Sequence, residues 1–144
     1  MNLSADQPVQ IGELAKKLGI ADRVIFAGIL GGEEKLQVMK SCDMFLFTSR
    51  DEGLPMAVLE AAALGVPQVI STECNVPELV EYQAGFVHAC DDTVALADSV
   101  HTLLSDVAVR QTMARNARLM VKERFSIEAM LDGIEHLMVR SALE

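Results

Sequence analysis

The apolar positions of the chain follow two alternating patterns. In one, apolar residues recur every three or four positions, as on one face of a helix. In the other, several apolar or β-branched residues follow one another directly, as in a strand buried on both faces. The helical pattern occurs in IGELAKKLG, EEKLQVMKSC, MAVLEAAAL and PELVE, and in residues 93–104, 107–123 and 127–140. The strand pattern occurs in VIFAG, DMFLFTS, VPQVIST and, more weakly, in GFVHA.

Residues that begin or end helices mark several of these boundaries. Gly19 and Gly65 directly follow helical runs, where glycine commonly ends a helix. Ser126 and the pair Asp91-Asp92 precede helical runs, and their oxygens are predicted to cap the first turn. Alternation of helix and short strand is typical of an α/β fold with a parallel sheet. Because no repeat, low-complexity tract or linker interrupts it, we expect one domain over residues 1–144.

Charge and composition exclude several classes of protein. The net charge is −9, with 21 acidic against 12 basic residues, which argues against a nucleic-acid partner. No apolar run reaches the roughly 20 residues of a membrane span, and the opening MNLSADQPVQ is too polar for a signal peptide. The three cysteines, Cys42, Cys74 and Cys90, form no CxxC pair and are best explained as reduced thiols. We therefore expect a cytoplasmic protein.

One segment, VAVRQTMARNARLMVKERF, is basic and holds five of the twelve basic residues. Its Arg115, Arg118 and Lys122 have the spacing that shares one helix face. Such a face could lie against anionic lipid, which would place the protein at the inner face of a membrane. The simpler interpretation, which the sequence favours, is a solvated face beside acidic neighbours.

A candidate binding site lies where the DMFLFTS run leads through SRDEGLP into the MAVLEAAAL helix. In open parallel sheets ligands bind beyond the carboxyl ends of the strands, which is where residues 49–55 would lie. Pro55 suits the start of a helix, and Gly53 lets the backbone come close to a bound group. The free amides and the positive dipole of the first helical turn suit a phosphate. An ordinary strand-to-helix turn without a ligand explains the same residues.

Two glutamates make this site more specific. Glu52 lies in the loop, and Glu60 follows eight positions later in an otherwise apolar helix. Carboxylates repel phosphate but accept hydrogen bonds well from sugar hydroxyls. Amides for phosphate beside carboxylates for hydroxyls would fit a nucleotide sugar. The alternative is that Glu60 caps its helix or pairs with a buried arginine, because buried charges are normally paired.

The stretch SRDEGLPMAVLEAAALGVPQVI resembles the hallmark of family 4 retaining nucleotide-sugar glycosyltransferases, which have the two-domain GT-B fold. Their pattern is Ser, two residues, Glu-Gly-Phe/Leu-Gly/Pro, a second Glu eight positions after the first, and then Ala-x-Ala-x-Gly-x-Pro. The flanking segments LGIADRVIFAG, PELVEYQAGFV and RQTMARNARLMVKERFS are similar too, so the resemblance covers residues 11–140. It implies a Rossmann-like parallel sheet with flanking helices, as in an incomplete C-terminal half of a GT-B fold.

The resemblance also implies roles for particular residues. Glu52 would be the catalytic-site residue that holds hydroxyls of the transferred sugar, and Glu60 would hold the ribose hydroxyls. Ile29 would lie by the nucleobase. The backbone at Gly53, Leu54, Pro55 and Met56 would face the diphosphate and the sugar. The function implied is transfer of a sugar from a nucleoside-diphosphate sugar to a sugar, lipid or polysaccharide acceptor, as in polysaccharide or glycolipid biosynthesis.

No metal or additional cofactor is implied. There is no DxD-type pair at a strand end, and His88, His101 and His136 lack the spacing of metal ligands. Structural roles are expected for the three histidines.

Relative to that family, the chain is expected to lack the N-terminal acceptor domain and the first two strands of the donor domain. The absent strands would lie between VIFAG and DMFLFTS in a 3-2-1-4-5-6 sheet. An Arg and a Lys that clamp the diphosphate would be absent with them. Surface positions are expected for the remaining cations Arg23, Lys35 and Arg50. A short sheet with exposed edges would favour self-association.

Two rival functions remain open. One is a non-catalytic nucleotide-sugar-binding or assembly module that pairs with a separate chain bearing the acceptor domain. The other is a nucleotide-sugar epimerase of the same architecture, which is disfavoured because such enzymes carry a different phosphate loop, rich in serine and glycine. If the glycosyltransferase interpretation holds, we expect the isolated chain to be inactive by itself.

Overall fold

The computed structural model describes residues 7–141. The chain folds into two compact units, Met1–Gly32 and Glu33–Glu144. The helices are α1 (Gln7–Lys17), α2 (Gly32–Lys40), α3 (Met56–Leu64), α4 (Glu78–Glu81), α5 (Thr93–Ser105), α6 (Val107–Arg124) and α7 (Ile127–Ser141). The strands are β1 (Phe45–Phe47), β2 (Gln68–Ser71) and β3 (Gly85–His88), and short 3-10 helices span Ala21–Arg23 and Thr72–Cys74.

The first unit consists of α1, the first 3-10 helix and the extended segment after it. The predicted strand VIFAG is wrong, because residues 24–28 have no strand pairing. Ile25 and Phe26 are 90% and 54% exposed. The physical reason is that a strand is stabilised by its neighbours through ladder hydrogen bonds, and no strand of residues 7–141 pairs with this segment.

The second unit contains a parallel three-stranded sheet in the order β1-β2-β3. This confirms the α/β class and the strands predicted at DMFLFTS, VPQVIST and GFVHA. The central strand β2 is fully buried, as its apolar run predicts. Among the described residues β1 pairs with β2 alone, so its other edge is open, as expected of a short sheet.

The two faces of β2 enter two separate clusters of apolar side chains. Ile70 packs with Leu79 and Met120 on the face covered by α3, α4 and α6. Val69, the preceding residue, points to the opposite face and packs with side chains of α5. This division follows from the two-residue repeat of a strand. The core is thus built around β2, with helices on both faces.

The ends of the helices largely confirm the predicted caps. The Ser126 hydroxyl accepts from the Ala129 amide at 3.1 Å, and the Asp92 carboxylate accepts from the Ala95 amide at 3.0 Å. Gly65 ends α3 in the left-handed conformation, with φ of +71°. These interactions join residues within a few positions of each other, which is why the sequence alone could predict them.

Candidate functional site

The loop 48–55 connects the carboxyl end of β1 to the start of α3. Pro55 is the N-cap of α3 and is buried, whereas Leu54 and Met56 are 51% and 61% exposed. No group of the described residues accepts a hydrogen bond from the amides of Met56 or Ala57. The start of α3 therefore presents free amides and a positive dipole end beside an exposed loop.

Glu60 lies in the second turn of α3, where the ammonium of Lys35 on α2 neutralises it. The Lys35 Nζ donates to Glu60 Oε1 at 2.7 Å and lies 2.6 Å from Oε2. The two side chains are only 35% and 28% exposed. Lys35 is therefore only partly at the surface where it was expected, and a lysine takes the place of the arginine considered as a partner of Glu60. Because the two residues are 25 positions apart, sequence reasoning did not predict this pair.

One oxygen of Glu60 keeps its capacity to accept a hydrogen bond. Oε2 is shielded from solvent and lies 2.6 Å from the Lys35 ammonium, but a carboxylate oxygen has a second lone pair beyond one such contact. The Glu60 side chain is 28% exposed, and its carboxylate can accept from a hydroxyl donor beside the ammonium.

Glu52 is half-buried in the loop, and its position is set through its backbone. Its amide donates to the Glu73 carbonyl at 3.2 Å, which ties the loop to the turn after β2. Gly53, the next residue, is exposed, and no atom lies within 4 Å of where a side chain would begin. The structure thus brings Glu52, Gly53, Leu54, Pro55, Met56 and Glu60 into one segment around the start of α3. Ile29 belongs to the first unit, where its side chain is fully exposed.

Sequence reasoning missed Glu73, a second carboxylate beside this loop. The pKa of Glu73 is lowered, mainly because its own backbone amide donates to the carboxylate. Desolvation opposes this shift, whereas the Thr72 hydroxyl, the Cys90 amide and the charge of Arg50 add to it. Thr72 Oγ1 lies 3.0 Å from Glu73 Oε2. Arg50, expected at the surface, is indeed exposed but also contributes to this environment.

The lowered pKa of Glu73 predicts a pH-dependent contribution to stability. A carboxylate whose pKa is lower when folded stabilises the protein above its ordinary pKa of 4.5, and this stabilisation is lost as pH falls through the folded value. We expect Glu73→Gln to unfold at a lower urea concentration than the parent at pH 7. The difference should close as the pH falls below 4.5. A difference that persists unchanged at low pH would contradict this origin, and Glu34→Gln, at an exposed position of α2, is the control.

The basic face of α6 is partly engaged within the protein. Arg118 donates to the Leu64 carbonyl at 2.8 Å, at the end of α3, and its guanidinium fills the space where a side chain at Gly65 would begin. Arg115 donates to the Thr112 hydroxyl of its own helix at 3.1 Å. Arg118 therefore satisfies a carbonyl at a helix C-terminus, where a cation is also favoured by the helix dipole.

Of the three histidines, His88 has a structural contact, whereas His101 and His136 are exposed. His88 Nε2 and Ser99 Oγ lie 2.7 Å apart between β3 and α5. Within residues 7–141, no three His, Cys, Asp or Glu side chains are grouped as metal ligands would be. In the same part of the chain, none of the helices combines the length and apolar character needed to cross a membrane.

Comparison of the structure with solved structures identifies the fold. A C-terminal domain of a glycosyl transferase group 1 family protein from Francisella tularensis superposes with a TM-score of 0.78 at 21% identity, over 88% of this chain and 66% of that one. A sucrose-phosphate synthase from Thermosynechococcus elongatus gives a TM-score of 0.70 at 26% identity, over 93% of this chain and 34% of that one. The fold is thus the Rossmann-like C-terminal domain of the GT-B glycosyltransferases.

Sequence comparison agrees with the structural likeness. The chain is 32% identical over 124 residues to an N-acetyl-alpha-D-glucosaminyl L-malate synthase of Bacillus anthracis. The matched residues make up 85% of this chain and 32% of that protein. A D-inositol 3-phosphate glycosyltransferase of Saccharomonospora viridis is 29% identical, over 90% of this chain and 30% of its own length. The chain therefore spans about a third of the length of these relatives. The family model for glycosyl transferases group 1 matches residues 5–120, and the chain belongs to that family.

Proposed function

We propose that this chain supplies the donor site for transfer of a sugar from a nucleoside-diphosphate sugar to an acceptor, with retention of the anomeric configuration. The observation that carries the proposal is the part-buried Glu60 carboxylate, held by Lys35 about one helical turn from the free amides at the start of α3. The ribose hydroxyls would donate hydrogen bonds to this carboxylate. Family membership supports the reaction class.

The ion pair with Lys35 makes a carboxylate compatible with a diphosphate at the same helix end. An isolated Glu60 would repel the phosphates, whereas the ammonium at 2.6–2.7 Å offsets its charge. The amides of Met56 and Ala57 and the dipole of α3 can then stabilise the negative charge that develops on the leaving diphosphate. Glu52 would accept hydroxyls of the transferred sugar from the loop side.

The test is a titration of the isotope-labelled chain with UDP, GDP and ADP, followed by amide NMR. We expect one nucleotide to shift the resonances of residues 53–60 and Glu60→Gln to weaken its binding by roughly tenfold or more, the value of a hydrogen bond to a charged group. Glu34→Gln, a matched change at an exposed glutamate on α2, should bind as the parent does.

Two outcomes would contradict the proposal. One is that none of the three nucleotides shifts any resonance. The other is that Glu60→Gln binds as tightly as the parent. A nucleotide sugar that binds the chain but is never transferred, even when the rest of a related enzyme is supplied separately, would instead favour the rival function of a non-catalytic binding module.

A further inference from the structure

The loop that carries Glu52 is held by side chains from the ends of the neighbouring strands. Three consecutive carbonyls, those of residues 47–49, each accept a hydrogen bond from a side chain located after or at the end of β2 or β3. The donors and acceptors are Cys74 Sγ to the Phe47 carbonyl at 3.5 Å, Cys90 Sγ to the Thr48 carbonyl at 3.6 Å, and Ser71 Oγ to the Ser49 carbonyl at 2.5 Å.

The Ser71 contact is the strongest of the three. Thiols are weak donors, whereas the Ser71 hydroxyl is an ordinary donor at a short distance. Ser71 is fully buried, so water cannot replace the bond if it is lost. Its single proton goes to the Ser49 carbonyl. In the 3.2 Å contact with Cys74 the Ser71 oxygen can therefore only accept, and the one proton of the thiol is shared between this oxygen and the Phe47 carbonyl.

The segment that follows β2 makes a second hydrogen bond to the loop. Two residues beyond Ser71, the Glu73 carbonyl accepts from the Glu52 amide. The loop is thus fixed at residue 49 and at residue 52, with only residues 50 and 51 between the two fixed points. Holding the loop at two closely spaced points fixes the backbone from which the Glu52 side chain extends, which is one part of preorganising a binding group.

We propose that Ser71 is a positioning residue for the sugar-binding half of the donor site and acts through the loop that carries Glu52. The inference rests on the proposed function, in which Glu52 binds the transferred sugar. Ser71 touches neither sugar nor nucleotide and is not a catalytic residue. Loss of its hydroxyl should weaken binding of the sugar part of the donor. It should hardly change binding of the nucleotide part, which in the proposed function binds at Glu60 and the start of α3.

The first arm of the test needs no ligand. Hydrogen exchange of the backbone amides is measured by NMR in the parent and in Ser71→Ala. We expect the Glu52 amide to lose roughly tenfold of its protection, the fold-change of one hydrogen bond, while the amides of Val69 and Ile70 in β2 keep theirs. Ser99→Ala removes another buried hydroxyl, one that contacts His88 and not the loop, and should leave Glu52 unchanged.

If Ser71→Ala does not fold, two conservative variants still allow the protection of the Glu52 amide to be tested. Ser71→Thr retains the hydroxyl and should retain the protection of the Glu52 amide, whereas Ser71→Cys offers a weaker donor and should give an intermediate value. Unchanged protection at Glu52 in the alanine or cysteine variant would overturn the proposal. An equal loss in Ser99→Ala would overturn it as well.

The second arm separates this inference from the proposed function. The affinities of UDP, GDP and ADP are compared with those of UDP-glucose, GDP-mannose and ADP-glucose. In Ser71→Ala we expect the free nucleotide to bind within about twofold of the parent, and the extra affinity due to the sugar to fall roughly tenfold. Ser71→Thr should restore it. In a double variant with Glu52→Gln, Ser71→Ala should hardly lower the affinity for the nucleotide sugar any further, because both changes act through the Glu52 carboxylate.

The negative results that these binding measurements could give lead to different conclusions. If the parent binds none of these ligands, the proposed function fails, and the positioning role fails with it. If the parent binds a nucleotide sugar but Ser71→Ala retains the full contribution of the sugar, only the positioning role is wrong. If Ser71→Ala weakens nucleotide and nucleotide sugar equally, the hydroxyl stabilises the fold in general, and the positioning role is again wrong.

Discussion

Replacing Leu79 by alanine should lower the free energy of unfolding by about 3 kcal/mol, within the range measured for buried leucines. Leu79 is fully buried in the short helix α4 and packs in the cluster that contains Ile70 and Met120. The loss combines the transfer free energy of the removed isopropyl group with the cost of the cavity that remains. Urea unfolding followed by circular dichroism measures it.

Val80→Ala provides the control for this prediction. Val80 is the next residue of α4 but is 59% exposed, so its truncation should change the free energy of unfolding by less than about 0.5 kcal/mol. If the two variants were equally stable, the core described around β2 would not be the one that stabilises the protein.

Gly85→Ala should be the second most disruptive change, with a cost of roughly 1–3 kcal/mol typical of overpacking. Gly85 opens β3 and pairs with Gln68 of β2. A Cβ at this position would lie 2.8 Å from the Gln68 carbonyl oxygen and 3.3 Å from Leu79 Cδ2. The carbonyl belongs to the backbone of the central strand and cannot rotate away, so β2 and β3 must separate slightly. The measurement is again urea unfolding.

Gly133→Ala is the matched change with the opposite expected sign. Gly133 lies inside α7, and nothing lies within 4 Å of the position that its Cβ would take. Alanine is the better helix former by roughly 0.5–1 kcal/mol, so this variant should be slightly more stable than the parent. A neutral Gly85→Ala, with stability equal to the parent, would contradict the close approach of the two strands.

The two disruptive changes should also be coupled. In the double variant, the alanine at position 79 no longer places a methyl group against the new Cβ at position 85, so part of the strain is relieved. The contact with the Gln68 carbonyl remains. We therefore expect the two costs to sum to more than the measured cost of the double variant, as is usual for residues in contact.

The sequence by itself determined those features that depend on neighbours within a few residues. The helical periods, the glycine that ends α3 and the caps at Asp92 and Ser126 all act within about one helical turn, and each agrees with the structure. The motif around Glu52 and Glu60 also lies within one short segment. For this reason the loop before α3 was recognisable as a candidate donor site from its residues alone.

Only the tertiary structure decided which distant groups meet. It brought Lys35 to Glu60 across 25 positions and Ser71 to the Ser49 carbonyl across 22. It also showed that VIFAG, despite a pattern typical of a strand, remains exposed, because strand formation needs a neighbour that the described residues do not offer. Pairings of this kind depend on how helices and strands pack, and a local pattern of apolar and polar positions does not contain that information.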